Sequence, residues 1–444
     1  MPTRKRIAVV GAGISGLASA WLLSQRNDVT LYEAGTYLGG HTNTIDVTLE
    51  GRTHPVDTGF LVFNERTYPN LIALFEHLGV DSVTSQMSFA VSLENPRLEW
   101  AGSDLATLFG QKRNLVRREF WGMLADILRF NRETGDWLLA YPDNRQCLRD
   151  FLTERRYSAA FADWYLLPMA AAIWSCPTAQ MLDMPLATFI RFCRNHGLLQ
   201  VFDRPMWRTV EGGGREYVRR LAARIKDNGS QCRLACAVCA VTREGGRLRV
   251  SHRFGSEHFD QVVMACHSDQ SLAILGGTAS DAQRQVLSAV RYQPNRAVLH
   301  TDPKLLPRNR KLWSAWNYFA AAGQPGEQPV GVSYLINKLQ PLPFEAPVVV
   351  TLNPARQPDP AKILAEFDYA HPIFDSPAIA AQQKLRDPAS AIQGDGGIWL
   401  AGAWGRYGFH EDGLKSALRV ANGMGLNAPW QPLPAPMRRA AAFA

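Results

Sequence analysis

Arg6-Ile-Ala-Val-Val-Gly11-Ala-Gly13-Ile14-Ser15-Gly16-Leu-Ala-Ser-Ala20 leads to a second apolar stretch, Val29-Thr-Leu-Tyr32, which ends on a lone acid, Glu33. Strand, glycine turn, small-residue helix, strand and carboxylate follow one another in the layout that cradles a dinucleotide. Gly11 permits the tight turn, Gly13 lets backbone approach a pyrophosphate, and Gly16 lets the helix lie close to the strand. The first helical turn, from Ile14 and Ser15, offers free N–H groups and the positive end of its dipole to the phosphates. Glu33 stands where a carboxylate reaches a ribose hydroxyl. A GxGxxG triplet alone is weak evidence; here the strand, the helix and the acid agree.

Directly after Glu33 come Ala34-Gly35-Thr-Tyr-Leu38-Gly39-Gly40-His41-Thr42, and then Val56-Asp57-Thr58-Gly59-Phe60. A second glycine pair can bring backbone amides to the far side of the same pyrophosphate, a clamp that a cofactor larger than NAD needs. With these motifs the chain resembles the superfamily of FAD-dependent amine oxidases, phytoene desaturases and protoporphyrinogen oxidases. That family shows an acid, a short spacer, Gly-Gly and a basic residue, then Asp-x-Gly; it usually has Arg where this chain has His41.

The resemblance returns near the other end. Ile398-Trp-Leu-Ala-Gly402-Ala403-Trp404, continued by Gly408-Phe-His410-Glu-Asp412-Gly413-Leu414, is similar to the closing FAD motif, in which a glycine opens a helix pointing at the flavin. Asp412 beside that N-terminus is favoured by the helix dipole. Trp404 replaces the acid common after Ala-Gly. In between, Val210-Glu-Gly212-Gly-Gly214 resembles the internal glycine segment, and the family's habit of presenting a valine backbone to the adenine implies Val238. The resemblance therefore implies FAD as cofactor, held by Gly11, Gly13, Ile14, Ser15, Gly16, Glu33, Ala34, Gly39, Gly40, His41, Thr42, Thr58, Gly59, Phe60, Val238, Gly402, Ala403, Asp412, Gly413 and Leu414. It extends over nearly the whole chain and is closest to a bacterial branch of amine-oxidase-like oxidoreductases, some of which modify membrane fatty acids.

The expected fold class is α/β. A Rossmann-like FAD-binding domain with a parallel sheet, of the glutathione reductase type, is assembled from residues 1–66, 205–275 and 390–428. A second, α+β substrate-binding domain of helices and an antiparallel sheet takes residues 67–204 and 276–389. Residues from about Tyr68 to Arg204 read as largely helical, with Leu71–Leu78 as an example. The pattern then changes to aromatic-rich strands, Val298–Thr301, Trp313–Tyr318, Val330–Asn337 and Val348–Leu352. The Pro/Ala-rich tail, 429–444, is expected to be disordered.

At 444 residues, 46% hydrophobic and 20% charged, the chain is long enough for two domains. Its seven cysteines form no secreted-type framework. Cys232, Cys236 and Cys239 fall in an alternating apolar strand and are expected as small buried hydrophobes rather than metal ligands. No apolar run is long enough to span a bilayer, and a cytoplasmic location is expected. The net charge of +8 gathers partly at Lys112, Arg113, Arg117 and Arg118, beside Phe120, Trp121, Met123, Leu124, Ile127 and Leu128. This mixture suits either an ordinary helix with a solvated basic side or peripheral contact with an anionic membrane. No stacking or zinc module accompanies the charge, so nucleic acid is not an expected partner.

Flavin chemistry asks the protein for orientation and exclusion of water, and no side-chain nucleophile is needed. Counting back from Gly413, His410 occupies the place where many amine oxidases have an aromatic of the substrate cage. An imidazole there can take up a proton, which makes His410 the first catalytic candidate. Trp316, Asn317, Tyr318, Tyr334 and His300 follow as pocket residues. Three functions stay open: dehydrogenation or desaturation of a hydrophobic, lipid-like substrate; oxidation of an amine to imine with release of peroxide; or a non-catalytic flavin-binding partner of a lipid-modifying enzyme.

Overall fold

The computed structural model describes residues 4–141, 146–175, 177–200, 205–321 and 331–430. The opening apolar run forms the strand Arg6–Val10, which pairs in parallel with Asp28–Tyr32 on one side and Gln261–Met264 on the other. Gln231–Arg233 and Ile398–Leu400 add the two edges of a five-stranded, all-parallel sheet. Burial on both faces explains why its central strands read as unbroken apolar runs rather than alternating ones. The helix Ile14–Ser24 is buried along its whole length, between this sheet and the closing helix His410–Gly423. Its first turn packs against the glycine turn itself: a Cβ on Gly16 would overlap the Gly11 carbonyl.

Val238–Glu244, Arg247–His252 and Gly255–Phe259 form a three-stranded antiparallel sheet. The three neighbouring cysteines do not share one environment as expected. Cys236 is buried, Cys232 partly so, and Cys239 is exposed on the outer strand of this small sheet.

The second large sheet has seven strands in the order Ile363–Pro372, Tyr292–His300, Val349–Leu352, Gly331–Leu335, Trp316–Ala320, Phe89–Leu93 and Leu98–Ala101. All its pairs are antiparallel except Trp316–Ala320 with Phe89–Leu93. Two of its strands thus come from the region expected to be largely helical. Phe89-Ala-Val-Ser-Leu93 is a β pattern, and its register with Trp316–Ala320 fixes it in the sheet.

Helices Arg118–Ala140, Leu148–Glu154, Leu167–Trp174 and Leu186–Asn195 share one apolar core with this sheet, through Phe120, Phe130, Phe151, Phe189, Val91 and Val350. The basic stretch does not enter its helix at once: Lys112–Val116 is a 3-10 turn, and the α-helix starts at Arg118. No helix among the described residues is long and apolar enough to cross a membrane. The tail from residue 431 onward lies outside the described residues.

Candidate functional site

The closing helix lies across the N-terminus of Ile14–Ser24 and brings the two ends of the chain together. Ser15 Oγ donates to the Gly413 carbonyl at 3.0 Å, Ser416 Oγ donates to the same carbonyl at 2.6 Å, and the Gly402 N–H donates to Ser416 Oγ at 2.9 Å. A Cβ on Gly413 would meet Ile14 and Ser15. Ser416, the hydroxyl that joins these segments, carries no motif and was not expected.

A cavity of about 1450 Å³ opens beside this junction. Ligand pockets ordinarily measure about 300–1,000 Å³, so there is room for more than one small molecule. One arm is walled by Gly11, Gly13, Ile14, Ser15, Glu33, Ala34 and Val238, and by Gly39, Gly40 and His41 opposite. Thr58, Gly59, Phe60, Gly402, Ala403 and His410 also line the cavity. Gly39 N–H donates to the Ala12 carbonyl at 2.9 Å, which sets the second glycine pair against the first turn. A Cβ on Gly13 meets no atom of the described residues within 4 Å, so this backbone faces open space. The helix N-terminus has no side-chain cap, leaving its N–H groups for an anion. Glu33 is held by Ala12 N–H and Gly35 N–H, each at 2.8 Å.

Gly16, Thr42, Asp412, Gly413 and Leu414 do not line the cavity. They sit behind its wall. Thr42 Oγ1 lies 2.5 Å from Tyr217 Oη and 2.7 Å from His410 Nε2, and the Asp412 carboxylate accepts from Phe409 N–H at 3.3 Å. Burial raises the pKa of Asp412 to about 6.

Buried polar atoms of the wall show what the site can take. Among the described residues, Trp316 Nε1, Trp404 Nε1 and His41 Nε2 find no hydrogen-bond partner, an arrangement that costs stability unless a ligand supplies one. The open Gly13 backbone, the uncapped helix, the ribose-side acid and the orphaned nitrogens of His41 and Trp404 fit FAD.

His41 does not stand alone. Its ring stacks on Tyr369 at 5.0 Å and lies 5.2 Å from His371 and 6.1 Å from His267, which stacks on Tyr292 at 4.4 Å. Burial first, then the neighbouring imidazoles, holds His41 well below its usual pKa; His371 falls to about 4 for the same reasons. These rings are neutral hydrogen-bonding groups where the family's Arg is a fixed cation. His267 and His371 were not expected. Both had a signal: His267 follows the carboxyl end of a parallel strand, where ligands bind in α/β sheets, and Phe367, Tyr369 and His371 alternate along one strand.

Strand alternation divides the proposed pocket residues. Trp316, Tyr334, Val350 and Leu299 are in cross-strand register on one face, and Trp316 and Tyr334 reach the cavity as a T-shaped pair 5.1 Å apart. Tyr318 shares that face but is buried in the core and does not line the cavity. Asn317 and His300 belong to the opposite face and are not pocket residues. Asn317 Nδ2 donates to the Ser314 and Ser333 carbonyls at 2.6 and 3.1 Å. His300 Nδ1 accepts from Asp302 N–H at 3.0 Å and its Nε2 lies 2.8 Å from Thr351 Oγ1.

His300 therefore reports on folding rather than catalysis. It is fully buried, and burial lowers its pKa to about 4, against about 6.5 for an unfolded histidine. Below pH 6.5 the unfolded chain binds a proton that the folded chain refuses. Stability is thus full above pH 6.5 and falls as the pH drops toward 4, by about 3 kcal/mol from this residue alone. Denaturant titrations at several pH values should show that slope in the wild type and a shallower one in His300→Gln. Equal slopes would show that His300 is not its source.

His410 does line the cavity. Its ring stacks on Phe60 at 3.7 Å, and Nε2 lies within reach of Thr42 and Tyr217, the latter at 3.1 Å. Burial lowers its pKa to about 3. The structure thus places His410 in the cavity wall, as expected, as a neutral imidazole within hydrogen-bonding reach of two hydroxyls.

Beyond the glycine cradle the cavity runs between Phe89, Trp100, Tyr165, Met169, Ile173 and Phe192. Among the described residues, no Lys or Arg lines it, and only Glu33 and Asp368 contribute carboxylates. Lys304 is exposed on a 3-10 turn elsewhere. The cavity thus continues well past the glycine-lined cofactor arm.

Comparison with known proteins agrees with this architecture. A fatty acid isomerase from P. acnes that produces CLA superposes with a TM-score of 0.65 at 16% identity, covering 94% of this chain and 98% of that one. Cyclohexylamine oxidase from Brevibacterium oxydans IH-35A gives a TM-score of 0.65 at 16% identity, covering 95% and 100%. At such identities the likeness establishes the fold. Carotenoid phi-ring synthase of Chlorobaculum tepidum is 33% identical over 105 residues, a match spanning 23% of this chain and only 16% of that protein. The sequence model of the flavin containing amine oxidoreductases matches residues 14–335. With its paired glycine clamps closing on one cavity, the chain is an FAD-dependent oxidoreductase and belongs to the flavin containing amine oxidoreductase family.

Proposed function

We propose that this enzyme dehydrogenates or desaturates a neutral, acyl-chain-like substrate. The observation that carries the reading is the wall of the second arm, which is mainly aromatic and aliphatic, with Ser175 and His196 as polar members, the latter held neutral by burial at a pKa of about 4, and which, among the described residues, holds no cation and no buried carboxylate. FAD, when bound, supplies an acceptor for a hydride from a substrate C–H bond. The chain's own task is then to hold that bond in place and keep water out. Trp316 and Tyr334 form a rigid T-shaped corner of the arm, while Met169, Ile173 and Phe192 give a surface that binds methylene groups without directional contacts. Burial raises the Tyr334 pKa to about 12, so its phenol stays protonated and can donate one hydrogen bond. His410, neutral and stacked on Phe60, fixes the wall between the cofactor arm and the substrate arm.

Among the described residues, a charged headgroup finds no counter-ion inside this arm and would stay at its mouth, and a substrate ammonium finds no buried carboxylate there. The P. acnes fatty acid isomerase shares the fold, which supports the scaffold's capacity for acyl chains. Anaerobic addition of extracted membrane lipid to the purified yellow protein should bleach the flavin absorbance, and simple alkylamines should leave it unchanged. Bleaching by the amine and not by the lipid would replace this reading with amine oxidation.

A further inference from the structure

Between the cavity and the long helix Arg118–Ala140, large apolar side chains stand in water. Val116 is 82% exposed, Leu105 75%, Leu128 62%, and Leu115 and Trp121 50% each. On the helix, Trp121, Ala125, Leu128, Arg132 and Leu139 recur at intervals that place them on one stripe. The opposite stripe, with Phe120, Met123, Phe130 and Trp137, is buried in the core. This helix is therefore apolar on both sides, and only one side is covered. Trp121 Nε1 donates to the Leu115 carbonyl at 2.9 Å, and its ring lies 5.3 Å from Phe109, which joins the helix stripe to the 3-10 turn Lys112–Val116.

Cations surround the patch. Over residues 97–132, seven Lys and Arg side chains outnumber four Asp and Glu. Lys112, Arg113, Arg118 and Arg132 are exposed, and among the described residues none of them is in an ion pair. Of the nearby acids, Asp104 is occupied as the cap of Leu105–Leu108, Asp126 is paired with Arg129, and Glu119 is exposed. The chain enters this patch directly from the cavity rim: Gly102 and Ser103 are exposed and line the cavity, and Leu105 follows two residues later.

We infer that this face, Leu105, Leu115, Val116, Trp121 and Leu128 with their fringe of Lys112, Arg113, Arg118 and Arg132, seats the protein on an anionic lipid bilayer, with the Gly102–Ser103 rim of the cavity turned toward it. Apolar side chains enter the headgroup–acyl boundary while cations meet lipid phosphates. A protein partner would match the apolar residues but not the excess of unpaired cations around them. An acyl chain could then pass from bilayer to cavity with its headgroup remaining among the cations, which suits a cavity whose wall carries none. The inference takes the nature of its cargo from the acyl-substrate reading, but lipid binding is measured without turnover, so each can fail alone.

The test uses the FAD-loaded full chain, sedimented with vesicles of phosphatidylcholine alone or with roughly one lipid in three replaced by phosphatidylglycerol. The wild type should pellet with the anionic vesicles and be released by salt. Val116→Asp and Leu128→Asp, at positions too exposed to disturb folding, and the triple variant Lys112→Glu, Arg113→Glu, Arg118→Glu should each bind at least about tenfold more weakly. Flavin reduction by detergent-dispersed substrate should not change in Val116→Asp. A wild type that stays in the supernatant, or variants that pellet as it does, would overturn the inference. So would a dimer in analytical ultracentrifugation that Val116→Asp dissolves without any vesicle binding, because a second copy of the chain would then be the occupant.

Discussion

Gly13→Val should give a folded protein that no longer binds flavin. At most glycines of the cofactor arm a side chain would fail for internal reasons: at Gly16 it would overlap the Gly11 carbonyl, and Gly11 itself has φ +100°. Gly13 differs. Its backbone is extended, with φ −69° and ψ −177°, and a Cβ there meets nothing within 4 Å. Valine is therefore accommodated by the chain, and its methyl groups project into the space that the pyrophosphate must share with the helix N-terminus. A steric block at the phosphates is expected to cost at least about 3 kcal/mol, more than a hundredfold in affinity. The purified variant should be colourless, with the circular dichroism and unfolding transition of the wild-type apoprotein. Full flavin content in Gly13→Val would show that the cofactor does not approach this backbone.

Asp57→Ala should produce the largest loss of stability. Asp57 is 1% exposed, and its carboxylate accepts from Gly214 N–H at 3.0 Å, from Gln340 Nε2 at 2.7 Å and from the Thr44 hydroxyl; its own N–H donates to Gln340 Oε1 at 3.0 Å. Burial raises its pKa to about 6 although these donors oppose the rise. Three distant segments meet at this one side chain: the hairpin strand Arg52–Asp57, the turn before helix Arg215–Asp227, and the chain leaving helix Ile336–Leu339. Alanine leaves the Gly214 N–H and the Gln340 amide buried without partners. The expected cost is about 3–5 kcal/mol, a fall in Tm of roughly 3–5 °C for a chain of this length. Asp57→Asn keeps the volume and one acceptor, and should lose less. A Tm for Asp57→Ala within about 1 °C of the wild type would mean that the three segments are held together by packing alone.

Much of the cofactor arm is legible in the order of residues. The spacing Gly11, Gly13, Gly16 and Glu33 is a local pattern: strand, turn and helix are set by neighbouring residues, and the phosphate cradle follows from the backbone conformation at Gly11 and the bare surface left at Gly13. The Gly39-Gly40 pair and the Gly402-to-Gly413 segment mark the far ends of the same cradle. Some of these motif residues, Thr42 and Asp412 among them, stand behind the wall, because a motif marks a segment without saying which way each side chain points.

The substrate arm is less legible, and the reason is geometric. A strand of period two exposes alternate residues to opposite faces, so Trp316 reaches the cavity while Asn317 does not. Nothing local to Trp316-Asn317-Tyr318 says which face the helices cover. His300 and His410 illustrate the same limit for electrostatics: an imidazole's proton affinity depends on what is packed around it, and for both that packing comes from segments tens to hundreds of residues away. By its sequence alone, this chain determined that it binds a flavin dinucleotide, since phosphate recognition is built from contiguous backbone. Which aromatics meet over the cavity, which histidines stay neutral, and which apolar helix face is left uncovered were decided only when distant strands and helices took their places, because each depends on neighbours that are close in space and remote in sequence.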